Sequence, residues 1–550
     1  MVNLKNPDQM WNKIKLNPLF LSLISAILMS AAWYIYPVFS FFGFVPLFIL
    51  TQTFAGKNEK WADLKYNFWL YLAFVMWNVI TTWWVWNASP GGSVAAILCN
   101  SFFMTIPWRF YKYAIKRNVF KSDFLHFLVL ISFWIGFEYL HLNWELTWPW
   151  LTLGNCFAFA HYLVQWYEYT GHLGGTFWIL LVNYLVFEVF RTNESKSKQV
   201  FTGLIFVVIA IPVFISLTRY FAYEEEGFSN EFVVVQPNVD PYNEKFPDTP
   251  HFIPFDLQLE RLLDLSEKTI TDSTKILAWP ETSLPVGFDE LLIEDQKYIL
   301  MIRNFLKKHP NLMLITGSDT YYIYGGKFDA SPTARYGEGV GYYDYFNTGM
   351  ALENNVKCRF YHKSKLVPGV ENLPYSYALT FLNNFAIDLG GITGSLGTQK
   401  ERTVFTSKSG VSVAPVICYE SIFGEFVADY VRKGAGYICI ITNDGWWGNT
   451  PGHVQHLHYA RLRAIETRRS VARAANTGIS GYMNQRGDII KTNIYWIQDA
   501  MRQSIKMNTY MTFYVTFGDL IGKAASYGCG IFISYFLYIF VTLQLRKIKK

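Results

Sequence analysis

Charge is what this chain is short of. Asp, Glu, Lys and Arg make up 16% of its 550 residues, against 51% hydrophobic and 18% aromatic. A water-soluble enzyme carries roughly 25% charged residues, so an entirely aqueous protein is excluded and part of the chain belongs in lipid. Net charge is low as well: a formal +6 over this length gives no field to hold nucleic acid. Cysteine is sparse, with Cys99, Cys156, Cys358, Cys418, Cys439 and Cys529 showing neither the paired spacing of a zinc site nor the density of a disulfide scaffold. No bridge is expected, and Cys99, Cys156 and Cys529, in or beside apolar segments, read as small packing residues.

Several motifs are missing too. No His-Glu-x-x-His occurs, and His453, His456 and His458 have no third ligand at evident spacing, so no metal is expected. Gly478-Ile479-Ser480-Gly481-Tyr482 lacks the closing glycine of a nucleophile elbow. Gly325-Gly326 and Gly390-Gly391 form no phosphate-binding loop, and there is no internal repeat or low-complexity tract.

What is present begins with apolar runs. A bilayer crossing needs roughly 20 residues, and candidates fall at 18–35, 37–53, 67–86, 92–112, 124–141, 174–190, 200–219 and 523–544, about eight spans. The first resembles a cleavable signal, with small residues at Ser30-Ala31-Ala32, but a second apolar run follows almost at once and both read as spans. Basic residues alternate between connections. Lys5, Lys13 and Lys15 precede the first span; Lys57, Lys60 and Lys65 follow the second; Arg109, Lys112, Lys116, Arg117 and Lys121 follow the fourth. Arg191, Lys196 and Lys198 follow the sixth, and Arg546, Lys547, Lys549 and Lys550 close the chain, whereas Asn87-Ala88-Ser89-Pro90-Gly91-Gly92 carries none. Both termini are therefore expected in the cytoplasm, and the large segment after the seventh span outside it.

That segment, 223–511, has near-normal composition and the length of a complete domain, between helices 1–7 in 1–222 and a last helix and basic tail in 512–550. Short apolar strands are expected at Phe232–Gln236, Ile276–Trp279, Leu312–Gly317, Gly349–Glu353, Val411–Cys418, Tyr437–Thr442 and Ser470–Ala474, and a helix over Val454–Arg469. Continuous apolar strands between helical stretches indicate a layered α/β domain with both faces of its sheets covered.

Three strand ends carry reactive groups: Trp279-Pro280-Glu281, Tyr361-His362-Lys363 and Ile417-Cys418-Tyr419-Glu420. An unperturbed thiol, pKa about 8.5, is mostly protonated at neutral pH, so a carboxylate to take its proton and an ammonium beside it both favour the thiolate. Glu281 would act as base, Cys418 as nucleophile, and Lys363 with the backbone N–H after Cys418 would hold the developing oxyanion. Glu420 has a second reading, as cap of a helix starting at Ser421. Trp446, Trp447 and Phe423 read equally as core packing or as a lipid-facing rim.

These segments resemble the Glu-Lys-Cys triad of the nitrilase, or carbon-nitrogen hydrolase, superfamily, and a domain of this kind before the last of about eight spans resembles the bacterial apolipoprotein N-acyltransferases. Further motifs match: Pro149-Trp150-Leu151-Thr152-Leu153-Gly154, Leu366-Val367-Pro368 with Glu371, and Asn443-Asp444-Gly445-Trp446-Trp447-Gly448 with His453-x-x-His456-x-x-x-Ala460-Arg461-x-Arg463-Ala464-x-Glu466. Two departures stand out. Pro368-Gly369-Val370-Glu371 replaces the usual Pro-Phe-Gly-Glu, and Lys245-Phe246 stands where Lys-Trp is common.

The resemblance implies a helical membrane domain plus an αββα sandwich, catalytic Glu281, Lys363 and Cys418, and supporting roles for Glu371, Tyr419, Glu420, Trp446, Phe246 and Trp150. It implies acyl transfer from a phospholipid, phosphatidylethanolamine in the first instance, through a Cys418 thioester to the α-amino group of a diacylglyceryl-cysteine at a lipoprotein N-terminus. No cofactor enters, and a monomer in the bacterial inner membrane is expected. The rivals are a membrane-anchored amidase acting on small amides with the same triad, and a non-catalytic scaffold.

Overall fold

The computed structural model describes residues 17–57, 59–372, 374–375 and 395–548. Lys5, Lys13, Lys15, Gly390, Gly391, Lys549 and Lys550 lie outside the described residues. The chain forms two compact units, one of Met1–Trp83, Ser93–Arg219 and Asp519–Lys550, the other of Trp84–Gly92 and Tyr220–Gly518.

The first unit is helical. Among the described residues, five helices are long and apolar enough to cross a membrane: Pro37–Ala55, Asp123–Asn143, His172–Arg191, Ser195–Ala222 and Leu520–Arg546. Pro18–Tyr34 is apolar but shorter, and the expected spans at 67–86 and 92–112 correspond to helices Ala62–Thr82 and Pro90–Lys116. Pro90, Gly91 and Gly92, read from sequence as part of a connection, instead open the second of these; proline suits a first helical turn because its missing N–H has no partner there anyway. The apolar window of Ser195–Ala222 is only 6% buried, the profile of a helix whose apolar sides face lipid. Where Pro37–Ala55 breaks at Phe44, Asn183 repairs the backbone: its Oδ1 accepts from Phe44 N at 2.8 Å and its Nδ2 donates to Ser40 O at 2.7 Å. Without water, broken helix groups need such partners. Phe44 itself packs edge-on against Phe74, Trp77, Trp108 and Trp134.

The second unit is α/β. Strands run at Ser229–Gln236 (β1), Thr274–Ala278 (β2), Leu284–Asp289 (β3), Met313–Ile323 (β4), Arg335–Gly337 (β5), Gly341–Glu353 (β6) and Val356–His362 (β7). Phe405–Thr406 (β8), Ser412–Ile417 (β9), Tyr437–Thr442 (β10), Ser470–Ala475 (β11), Gly481–Met483 (β12), Ile489–Thr492 (β13) and Asp499–Lys506 (β14) follow. One sheet has the order β14-β1-β2-β4-β6-β5, with β3 beside β4 and β7 beside β6; the other runs β13-β12-β11-β10-β9-β8.

Alternation along β1 shows why the sheets stack. Val233 and Val235 join Leu277, Leu314 and Leu352 against helices Phe255–Thr269 and Lys297–Lys308, through Leu259, Leu262, Ile299 and Ile302. Phe232, on the opposite face, meets Tyr437 of the second sheet at 4.7 Å between ring centres. Each buried side chain of this size contributes roughly 1.5–3 kcal/mol. Helices Gly424–Arg432 and Pro451–Thr467 belong with the second sheet, giving four layers.

Two expectations need correction. β9 stops at Ile417, so Cys418 lies just outside the strand, in a 3₁₀ turn Cys418–Ile422, and the following helix starts at Gly424 rather than Ser421. β4 and β6 are far longer than expected, because Tyr, Thr and Ser extend the ladder beyond the apolar runs that mark their cores.

Candidate active site

Three chain exits converge. The path leaving β2 carries Glu281, the residue after β7 is Lys363, and the residue after β9 is Cys418. At two of these exits the backbone takes the left-handed conformation, with φ +47° at Thr282 and +49° at Cys418. For a non-glycine residue this costs roughly 1–3 kcal/mol and persists only where neighbours impose it.

Lys363 Nζ lies between two carboxylates, 2.9 Å from Glu281 Oε1 and 2.7 Å from Glu371 Oε1. Asn347, from β6, bridges the same atoms through Nδ2 at 2.9 and 3.1 Å. Glu281 Oε2 accepts from Asn443 N at 3.1 Å, and Glu371 Oε2 from Val367 N at 2.9 Å. Lys363 is 1% exposed and Glu281 6%. Burial opposes charge on both, but each compensates the other: Lys363 holds the Glu281 carboxyl below the usual range, and Glu281 and Glu371 hold the lysine well above its own. The Cys418 thiol is near enough to Glu281 for each to shift the other's protonation. Burial pushes that thiol up, the Glu281 carboxylate adds to the rise, and Lys363 counters it. At rest the site thus stores a thiol beside a ready carboxylate base.

Behind Cys418, fully buried Glu420 is a brace. Its Oε1 accepts from Tyr361 Oη at 2.6 Å and Ser364 N at 2.7 Å, and its Oε2 from Ile417 N at 2.9 Å. One side chain thereby ties the lysine's strand exit to the cysteine's.

The remaining expected site residues are placed as follows. Tyr419 is buried edge-on against Phe423, itself 2% exposed, so Phe423 is core. Trp446 packs edge-on against Tyr242, and Trp447 against Trp84 and His456. Phe246 stands beside the Lys245 ammonium, 5.7 Å from its ring centre. Trp150 belongs to the helical unit, stacked on Trp148 in the turn Pro149–Leu151. Among the described residues no group of three or more His, Cys, Asp or Glu side chains is arranged to hold a metal. His456 instead pairs Nδ1 with Asp444 at 3.0 Å, and its Nε2 lies 2.9 Å from Ser421 Oγ, which donates to Cys418 O.

Sequence reasoning missed Asn347, the backbone N–H of Asn443, and the segment Trp84–Gly92. The last docks on the loop after β10: Asn87 Nδ2 donates to Trp447 O at 2.8 Å, and Tyr242 Oη lies 3.0 Å from both Asn87 O and Trp446 O. A Cβ on Gly452 would come within 2.6 Å of the Trp84 ring, so only glycine leaves room for it. The signal available for this contact was the run Trp83-Trp84-Val85-Trp86 at the end of the expected span 67–86, followed by a connection without basic residues.

Gly317 of β4 backs Glu281 in the same way. A Cβ there would lie 2.6 Å from Glu281 Cα and 2.5 Å from Thr282 N, backbone atoms that must shift to admit it. Gly317→Ala is expected to shift Glu281 and lower turnover about 100-fold, the typical cost of a 1 Å misplacement, with a small change in melting temperature. A turnover assay beside a thermal melt checks it; unchanged turnover would mean the loop absorbs the methyl.

Comparison with known proteins gives two family matches. Residues 25–185 match the apolipoprotein N-acyltransferase N-terminal domain, and residues 254–509 match carbon-nitrogen hydrolase. An apolipoprotein N-acyltransferase of Chlorobaculum tepidum is 30% identical over 524 residues, covering 92% of this chain and 93% of that protein. One of Rickettsia typhi is 29% identical over 409 residues, 73% of this chain and 75% of that protein. Among solved structures, Saccharomyces cerevisiae Nit3, of the nitrilase superfamily, aligns at TM-score 0.36 and 16% identity, covering 50% of this chain and 90% of that one.

Proposed function

The chain belongs to the apolipoprotein N-acyltransferase family, and from that premise we propose how its site performs acyl transfer. The carrying observation is the buried Lys363 held between Glu281 and Glu371, at the chain exit that converges with that of Cys418. Glu281 takes the thiol proton as sulfur attacks an ester carbonyl of a phospholipid, phosphatidylethanolamine in the first instance. Lys363 and the N–H of Tyr419 stabilise the oxyanion, as pre-placed donors do in low dielectric. The proton then passes from Glu281 to the departing lysophospholipid oxygen, leaving a thioester on Cys418. The α-amino group of a diacylglyceryl-cysteine attacks that thioester, and the acyl chain leaves as an amide.

Glu371 shares the charge of Lys363 and fixes its position; Glu420 sets the spacing of lysine and cysteine. Tyr419, Trp446 and Phe246 are assigned to binding of the acyl-bearing substrates; Trp150, in the helical unit, keeps the supporting role that the resemblance implies. We further assign about eight spans, a catalytic domain over 223–511 on the periplasmic side of the inner membrane, both termini in the cytoplasm, and a monomeric enzyme. The alternation of basic connections supports that topology.

The test is the mass of the purified full-length protein incubated with phosphatidylethanolamine alone, then with a diacylated lipopeptide. An acyl-sized increment on the peptide containing Cys418, discharged by the lipopeptide amine, is expected. Ammonia release from simple amides without lipid, or discharge by water at the same rate, would favour the amidase instead.

A further inference from the structure

Asp319 and Lys245 are charged groups of the catalytic unit that the chemistry above leaves unused. Asp319 on β4 is the register partner of Asn347 on β6. Side chains of such partners share one face, roughly 4.5–5.5 Å apart at Cβ. Asn347 is the residue whose Nδ2 touches both Glu281 and Glu371, so Asp319 stands at the edge of the Glu281–Lys363–Glu371 cluster. Lys245, 2% exposed, approaches from the turn after β1, where Gln258 Nε2 fixes its carbonyl at 2.9 Å.

One buried polar atom here is uncompensated, and a half-buried carboxylate stands beside it. Among the described residues no hydrogen bond or ion pair reaches the half-buried Asp319 carboxylate, which the Lys245 ammonium attracts electrostatically. Asn347 Oδ1, the other branch of that amide, is buried without a hydrogen bond. Native structures pair almost all buried polar groups, so a buried amide oxygen left open next to an accessible carboxylate marks a place for a ligand that donates several hydrogen bonds and carries positive charge. An α-ammonium group has that chemistry; a phosphate or an acyl chain does not.

We infer that Asp319, with Asn347 Oδ1, receives the α-ammonium group of the acceptor and removes its first proton, and that Lys245 keeps Asp319 ionised for this step. The inference rests on the acyl-transfer reading above. In the step, R–NH₃⁺ gives a proton to the Asp319 carboxylate, and the free amine attacks the Cys418 thioester. The second N–H proton passes to Glu281 and from there to the sulfur as the carbon–sulfur bond breaks. The products are the amide, the Cys418 thiol and one proton on Asp319, which is released to water.

The electrostatics suit a base working near neutrality. Burial raises the Asp319 carboxyl to about 6; Lys245 and Lys363 oppose the rise, and Glu281 and Glu371 add to it. Burial lowers Lys245 to about 8, against the pull of Asp319 and Glu281. A base of this strength is ionised at neutral pH and close enough to an α-amino group, about 7.7–8.0, to exchange a proton with it.

The experiment separates the two half-reactions in the full-length enzyme. Wild-type, Asp319→Asn and Lys245→Met proteins are charged with phosphatidylethanolamine, then mixed with a diacylated lipopeptide or with hydroxylamine, a nucleophile already neutral at neutral pH. Asp319→Asn should form the Cys418 thioester and lose it normally to hydroxylamine. It should pass the acyl chain to the lipopeptide about 100-fold more slowly, without the acid limb near pH 6. Lys245→Met should move that limb to higher pH, because the positive charge that lowers the Asp319 pKa is gone. Wild-type transfer and an unchanged pH profile in Asp319→Asn would overturn the inference; so would equal slowing towards both nucleophiles, which marks a structural defect. A wild-type enzyme that never charges with acyl chain would overturn the functional reading itself, and this inference with it.

Discussion

Replacing Lys363 with methionine is expected to lower turnover by about 10⁴-fold or more. Two losses combine. Removing an oxyanion donor alone costs roughly 10²–10³ in kcat. The second loss is the base. Glu281 and Glu371 share Asn347 Nδ2 as well as the ammonium, and without the cation two buried carboxylates face each other. One takes up a proton at neutral pH, and the pair no longer accepts the Cys418 proton efficiently, a function worth roughly 10²–10⁴.

Stability should change with pH in the opposite sense to wild type. In the wild-type protein the depressed Glu281 pKa contributes stability that is present above the unfolded carboxyl value and lost as pH falls. Lys363, raised, contributes stability that is present below the unfolded lysine value and lost as pH rises through its folded one. In Lys363→Met the carboxylates have raised pKa values, so the variant is destabilised as pH rises through the carboxyl range, by up to roughly 3–5 kcal/mol for breaking a buried pair. Thermal melts between pH 5 and pH 8 read this directly. A variant that keeps a tenth of its activity, or melts alike at both ends, would show that Lys363 is not the charge that organises the site.

The second large effect belongs to Cys418→Ser, which exchanges one atom and keeps the hydrogen-bond pattern of the turn. The cost is chemical. Glu281 is held below the ordinary carboxyl range, a weak base matched to a thiol that Lys363 helps to ionise; an alcohol is a far poorer partner for it. Acyl-enzyme formation should fall at least about 10³-fold, with a melt close to wild type because the left-handed backbone at this position is set by the turn and not by sulfur. Mass analysis after exposure to phospholipid distinguishes the outcomes. Normal turnover by the serine enzyme would remove Cys418 from the role of nucleophile.

How much of this was legible in the sequence depends on what fixes each residue. Glu281 and Cys418 end apolar runs, and a side chain just beyond a buried strand is presented at a sheet edge, so linear pattern sufficed. Lys363 follows a mixed strand but stands next to Tyr361, whose hydroxyl bonds Glu420; the motif carried it. Asn347 and Asp319 were invisible for a different reason. They lie inside β6 and β4, where Tyr, Thr, Ser and Asp alternate without an apolar signature, and their importance exists only through pairing register. A one-residue slip would turn both away from Glu281. The positive φ at Thr282 and Cys418 was equally hidden, since neither residue favours that region by itself.

The contact of Trp84–Gly92 with the loop after β10 has a consequence for the order of assembly. Asn87 and Trp447 are 360 residues apart in the chain. During synthesis, the tryptophan segment emerges long before the strands that carry lysine and cysteine exist. Loop closure over such a distance grows only as the logarithm of length, about 0.6 kcal/mol per doubling, so the thermodynamic penalty is modest, but in time the separation is large. The second unit cannot be finished by its own contiguous sequence. A fragment starting at Tyr220 could pair its strands and still lack the indole that fills the slot over Gly452, leaving the loop after β10 incomplete until residues made long before it are brought to it.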